Sequence, residues 1–284
     1  MVRGESGGGP PQSKTLCVRE GCRILRQLLV CASPLALFRG SRRSGNLDWT
    51  TDDGGSNVGR VTGISGGEKM SQRIIQPTAI LDYDSSIVRR FAESIHVDDA
   101  SKLNFLRAAH LAVSERVKPV YTVKEFQPVS KTLALGRGSC SQRLACLKAL
   151  ARLKGISTRD RALWVAGKFW NKRFPLTRAF IPKRILLAWP QFYSDSKWLG
   201  LEEIFGQMEE LAGRSAGFTN DSETLFEAVR ATAVDFEGKT RVCSPNCDLS
   251  QFVEATDGLF EARDDLFESL GAFEKTWRGR AFEL

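Results

Sequence analysis

The run Gly136-Arg137-Gly138-Ser139-Cys140 constrains this chain more than any other. Two glycines within three residues make a tight turn and leave room for a ligand to approach. Cys140 then opens a strongly helical stretch that runs to Lys154. Gly155 stands where a helix C-terminus needs a residue able to take positive φ. A helix start presents N–H groups and partial positive charge, which favour a thiolate over a thiol. The same groups can stabilise the oxyanion of an acyl-transfer step. Arg137 and Arg143, close in sequence, act in the same direction. These are the surroundings of a nucleophilic cysteine. A buried cysteine that merely packs is the competing reading. That reading suits Cys146, which has no glycine turn before it.

The pattern on either side predicts an α+β fold. Ile87, Val88, Phe91 and Ile95 recur at helical spacing. A second helix is expected from Ser101 to Val117, with Leu106, Val113 and Val117 on one face, ended by Pro119. Val120 to Leu135 reads as extended chain or loop. After the cysteine helix, Thr158 to Phe169 reads as a strand, Trp170 to Pro182 as a basic loop and Ile185 to Tyr193 as a second strand. Asp195-Ser196-Lys197 makes a turn, and Trp198 to Phe205 is a third strand running into a loop. Leu225, Phe226, Val229 and Phe236 mark a further helix. Phe252, Leu259, Leu266 and Phe273, with Leu270 and Trp277 beside them, suggest one amphipathic helix of about 25 residues, weakened by Gly258 and Gly271. The expected architecture is a helical N-terminal part, a cysteine-bearing helix on a small antiparallel sheet, and a helical C-terminal extension that covers the core.

Three segments of this core resemble one known family. Gly138-Ser139-Cys140, with Leu144, Leu147, Leu150 and then Gly155-Ile156-Ser157-Thr158-Arg159, is similar to the G-x-C, helix, G-I-P-A-R pattern of the transglutaminase-like superfamily. Leu187-Ala188-Trp189-Pro190-Gln191-Phe192-Tyr193 resembles its H-x-W-x-E-V-Y strand. Trp198-Leu199-Gly200-Leu201-Glu202 resembles its W-x-x-x-D segment. The resemblance spans Arg137 to Phe205 and implies a papain-like cysteine fold. It places Cys140 at the nucleophile, Leu187 at the catalytic histidine, and Glu202 at or near the aspartate that orients that histidine. Gln191 replaces a strand glutamate, and Trp189 and Trp198 match core aromatic positions.

Leucine can neither hold a thiol proton nor return one to a leaving group. Amide cleavage would suffer most from its presence, and an activated acyl or thioester substrate least. Two candidates stand in for the missing base. His110 lies on or beside the apolar face of its helix, where a core histidine with one satisfied hydrogen bond is the plainer reading. Glu202 or Glu203 qualifies if burial raises its pKa. His96, beside Asp98 and Asp99, reads as a surface residue at a helix end.

Two functions follow. One is a cysteine-dependent acyltransferase or hydrolase acting on a peptide or small acyl substrate. The other is a catalytically degenerate member that binds a peptide or protein partner in the old cleft. No cofactor or metal is expected.

Charge and cysteine content narrow the setting. The chain carries a formal net charge of +8. From Arg137 to Arg184 there are thirteen Lys/Arg against one acid, and from Glu202 onward eight against eighteen acids. A basic half and an acidic half can satisfy each other, so nucleic-acid binding ranks behind internal complementarity. That ranking holds even for Lys168 to Arg184, where aromatics interleave with basic residues. The seven cysteines are odd in number and irregularly spaced, which does not make a disulfide framework. Cys243 and Cys247 form a lone C-x3-C lacking the two further ligands that zinc needs. A reducing, cytoplasmic setting is expected, with no membrane span.

Residues 1–69 are rich in Gly, Ser and Arg and read as a leader distinct from the core at 70–205 and the extension at 206–284. A disordered tail, a transit peptide and a start assigned too early all fit. The last is preferred, because Gly66-Gly67-Glu68-Lys69 before Met70 would be encoded by purine-rich codons like those of a bacterial ribosome-binding site.

Overall fold

The computed structural model describes residues 72–97, 101–122, 124–171, 182–207, 210–211, 213, 224–232, 234 and 249–275. The leader at 1–69, the Cys243/Cys247 pair, Phe236, Trp277 and most of the basic loop lie outside the described residues.

Three helices form where capping signals stand in the sequence. Helix α1, Ser86–Glu93, begins after Ser85, whose hydroxyl accepts from the Val88 N–H. Helix α2, Lys102–Arg116, begins after Ser101, which accepts from the Asn104 N–H. Helix α4, Cys140–Leu153, begins after Ser139. There the Ser139 hydroxyl accepts from the Gln142 N–H at 3.2 Å and the Gln142 side-chain oxygen accepts from the Ser139 N–H at 3.0 Å. This reciprocal box fixes the helix start. At the other end Gly155 sits at φ +74, and the N–H groups of Gly155 and Ile156 fold back onto Arg152 and Ala151, each at 2.9 Å.

Helix α3, Val129–Leu135, lies within the stretch expected to be extended. It follows Pro128, has no side-chain cap, and stops at Gly136 with φ +59. Without a polar cap to announce it, its start has no local signature. Two short strands, β1 (Lys118–Pro119) and β2 (Arg137–Gly138), then pair in parallel and bring the end of α2 beside the start of α4.

The main sheet is antiparallel throughout and runs in the order β5 (Lys197–Gly200), β4 (Arg184–Ser194), β3 (Thr158–Ala166), β6 (Val253–Phe260). Strand β3, Thr158–Ala166, pairs with β4, Arg184–Ser194, in unbroken register from Thr158↔Phe192 to Ala166↔Arg184. Strand β5, Lys197–Gly200, follows a hairpin turn in which both Asp195 and Ser196 take positive φ. That geometry matches the right-handed twist of the flanking strands. A 3-10 turn, Glu202–Phe205, ends this segment where a longer strand was expected.

The C-terminal extension corrects the sequence reading. The single amphipathic helix is replaced by strand β6, Val253–Phe260, and a shorter helix α6, Arg263–Leu270. Gly258 has φ +77, outside the helical region, and lies where the β6–β3 register shifts. A spacing of seven suits a helix, but the open edge of β3 supplies a pairing partner that local sequence does not reveal. The helix over Leu225 to Phe236 is described as α5, Leu225–Ala228. Among the described residues no helix is long and apolar enough to cross a membrane.

Helix α4 is buried along nearly its whole length, including Arg143, Lys148 and Arg152. The Lys148 ammonium is paired with Asp160 of β3, and both are fully buried. Arg152 donates to the Thr158 hydroxyl at 2.8 Å and to the carbonyls of Gln76 and Glu261. One guanidinium thus ties segments from both ends of the folded region to the sheet. Thr158 and Asp160 therefore mark the sheet face that meets α4. Leu163, Leu187 and Trp189 have the opposite parity, because successive side chains alternate across a strand.

The buried pair sets a test. Lys148→Met strands the Asp160 carboxylate and is expected to cost about 3–5 kcal/mol in urea denaturation, whereas Lys148→Met with Asp160→Leu recovers most of that loss. Equal stabilities for the single and double variants would contradict this account of the core.

Candidate functional site

Cys140 is the first residue of α4, and 8% of its surface is exposed. In the turn before it, Gly138 has no room for a side chain. A Cβ at Gly138 would lie 2.8 Å from Thr132 Cγ2 and 3.3 Å from Gln142 Cβ. Gln142 also donates from Nε2 to the Lys124 carbonyl at 2.9 Å. The capping box therefore binds the 124–127 turn to the helix start.

That turn carries Glu125, which the sequence reading did not single out. Its carboxylate accepts from the hydroxyl of Ser141, the residue directly after Cys140. Arg263, the first residue of α6, donates to the Ser141 carbonyl at 3.0 Å and to the Ser141 hydroxyl oxygen, and lies 3.7 Å from Glu125 Oε2. Burial pushes the Glu125 carboxyl up to about 7, against the pull of Arg263 and the Ser141 hydrogen bond, with Glu274 and Cys140 pushing the same way as burial. Arg263 is 1% exposed, and its Nε and Nη1 have no hydrogen-bond partner. Its guanidinium lies 5.0 Å from the Phe267 ring centroid.

Glu202 occupies a different environment. It is 5% exposed and its Oε2 accepts from the Trp189 indole N–H at 2.9 Å. Burial raises its carboxyl to about 7, opposed by hydrogen bonds from its own backbone and from Trp189. Gly200 makes the space, since a Cβ there would lie 2.7 Å from the Glu202 carboxyl carbon. Glu203 instead accepts from the Gly200 N–H at 2.6 Å. Leu187 is buried and pairs with Leu163, on the face shared by Trp189 and opposite to Asp160. Gln191 accepts from Arg159 at 2.7 Å.

His110 is 1% exposed, and its Nε2 lies 2.6 Å from the Phe226 carbonyl. Its ring stacks on Phe226 at 4.2 Å and meets Phe205 edge-on at 5.0 Å. Because the carbonyl can only accept, Nε2 carries the proton, and Nδ1 is buried without a partner. Burial lowers the imidazole to about 4, so the ring is neutral at pH 7. Arg143, one turn along α4 from Cys140, covers the Phe226 ring at 4.3 Å and pairs with Glu227.

The structure thus gathers Cys140, Ser141, Glu125 and Arg263 at one helix end, sets Glu202 with Trp189, and sets His110 among Phe205 and Phe226. Only Cys140 of the first group was visible in the sequence. Glu125 sits in a loop with no motif, and Arg263 arrives from far along the chain.

Residues 89–202 match the family model described as the transglutaminase-like superfamily. No curated protein matches the chain, and no solved structure does.

The elevated Glu202 carboxyl has a consequence for stability. A folded-state value raised from 4.5 to about 7 favours the neutral form in the fold. Its contribution is complete below pH 4.5 and is lost as pH rises through about 7. Glu202→Gln keeps the neutral shape and removes this loss. It is expected to flatten the dependence between pH 5 and pH 8 and to gain up to about 3 kcal/mol at pH 8 in urea melts. A variant weaker than the parent at pH 8 would refute it.

Proposed function

We propose, from the match of residues 89–202 to the transglutaminase-like superfamily model, that Cys140 is the nucleophile of an acyl transfer, or of an amide or thioester hydrolysis. The substrate class is a peptide or a small acyl compound. One observation carries the reading: Cys140, buried with 8% of its surface exposed, opens a capped helix of 14 residues. The N-terminal turn offers positive potential both to the thiolate and to the oxyanion formed when sulfur adds to a carbonyl. Cys146 shows the contrast. It is fully buried, and burial pushes its thiol up to about 12, which makes it inert. The absence of histidine from position 187 favours substrates with good leaving groups, thioesters before amides. A reducing compartment such as the cytoplasm suits a working thiol.

The second reading is a binding module built on the same fold. It is favoured by Leu187, which sits beside Leu163 in the buried sheet and has no titratable group.

Labelling separates the two. Iodoacetamide at pH 7, followed by peptide mapping, is expected to modify Cys140 at least tenfold faster than Cys146. p-Nitrophenyl acetate is expected to acylate the parent at Cys140 and not the Cys140→Ser variant. A Cys140 that labels no faster than Cys146 and takes no acetyl group would leave the binding module as the function.

A further inference from the structure

We propose that Glu125 is the proton carrier of the Cys140 reaction, held at the start of the cysteine helix by Ser141 and by Arg263 of the C-terminal segment. The inference rests on Cys140 being the nucleophile and names the base that the Leu187 position lacks.

Three observations lead to it. Glu125 is bonded to the residue that directly follows Cys140. Oε2 takes the contacts with both Ser141 and Arg263. The groups around it are Arg263 from α6, Glu274 from the 3-10 turn at Phe273–Lys275, and Cys140 from α4. Burial, with Glu274 and Cys140 adding to it, raises the carboxyl against Arg263 and the Ser141 hydrogen bond, so it can exchange a proton near neutral pH. The contacts described for His110 and Glu202 lead elsewhere. The first is bonded to Phe226 and the second to Trp189.

The step balances as follows. Glu125 carboxylate takes the Cys140 thiol proton, and the sulfur electron pair forms a C–S bond to the acyl carbon. The carbonyl π pair moves to oxygen and is stabilised at the helix start. When the tetrahedral adduct collapses, the bond to the leaving group breaks, and Glu125 returns its proton to the departing nitrogen or sulfur. The acyl thioester is then attacked by water or an acceptor amine, whose proton passes to Glu125. The C–S bond breaks, and the thiolate recovers that proton. Ser141 and Arg263 are positioning residues, because they act through Glu125.

The test uses the full chain with p-nitrophenyl acetate and iodoacetamide across pH 5–9. Glu125→Gln is expected to lower acyl turnover about a hundredfold while Cys140 labelling at pH 7 holds or rises, because a repelling carboxylate has gone. The turnover inflection near neutral pH should vanish in Glu125→Gln and return in Glu125→Asp. Ser141→Ala removes a hydrogen bond that lowers the Glu125 carboxyl, so its inflection should move to higher pH. The Ser141→Ala shift tests the idea even if Glu125→Gln fails to fold. An unchanged pH profile in both variants, with Cys140 still acylated, would overturn the role of Glu125 and leave the nucleophile standing. Loss of acylation at Cys140 in the parent would instead overturn the nucleophile.

Discussion

Helix α4 is buried on nearly every side, and the rest of the structure answers to that constraint. A wholly enclosed helix is ordinarily apolar, yet this one carries Arg143, Lys148 and Arg152 into the interior. Each cation needs a partner, because an isolated buried charge is far more costly than a paired one. Lys148 fixes the helix to Asp160 of β3. Arg152 reaches carbonyls at Gln76 and Glu261. Arg143 holds Glu227 and Thr224 beside α5. The sheet and both flanking segments are therefore placed around α4 by charge and hydrogen bonding as well as by apolar packing.

Two ion pairs join the basic and acidic parts of the sequence. Basic residues between Arg137 and Arg184 meet acids from the C-terminal half, as Arg143 meets Glu227 and Arg184 meets Glu254 at 3.1 Å. Trp164 adds an indole N–H to Asp257. The exposed pairs contribute little individually. The enclosed ones restrict which arrangements of the chain are compatible with a dry interior. Strand β6 follows from this as well as from backbone pairing. Its residues Glu254 and Asp257 lie where Arg184 and Trp164 require acceptors.

Local signals account for what the sequence revealed. Ser101 marks the start of α2, and the glycine turn before Cys140 the start of α4, so both helices were legible. So were Gly155 and the β4–β5 hairpin with its Asp195-Ser196 turn. The seven-residue spacing of Phe252, Leu259 and Leu266 misled because it records apolar positions without recording their backbone. The edge of β3 and the positive φ at Gly258 decide the outcome for β6, and both are matters of tertiary structure. The candidate site divides in the same way. Cys140 announces itself through the glycine turn and the helix. Glu125 acquires its environment only when α6 brings Arg263 against Ser141, a connection spanning more than a hundred residues.

A carboxyl group does not simply replace an imidazole, and the difference explains why an arginine belongs in this corner. A thiolate beside a protonated histidine is an ion pair that stabilises itself. In the chemistry proposed for Glu125, the thiolate faces a neutral acid, so the pair carries a net negative charge after proton transfer. Before transfer the negative charge sits on the carboxylate. The charge moves between two acids without being neutralised by either. Positive potential must then come from outside the pair, and it must serve both positions. The start of α4 supplies it at the sulfur and at the developing oxyanion. Arg263 supplies it at Glu125, 3.7 Å away, with Nε and Nη1 still uncommitted. A leucine at position 187 is compatible with such a site, provided the C-terminal segment folds back to deliver the guanidinium. In this reading, strand β6 and helix α6 have a purpose beyond covering the sheet.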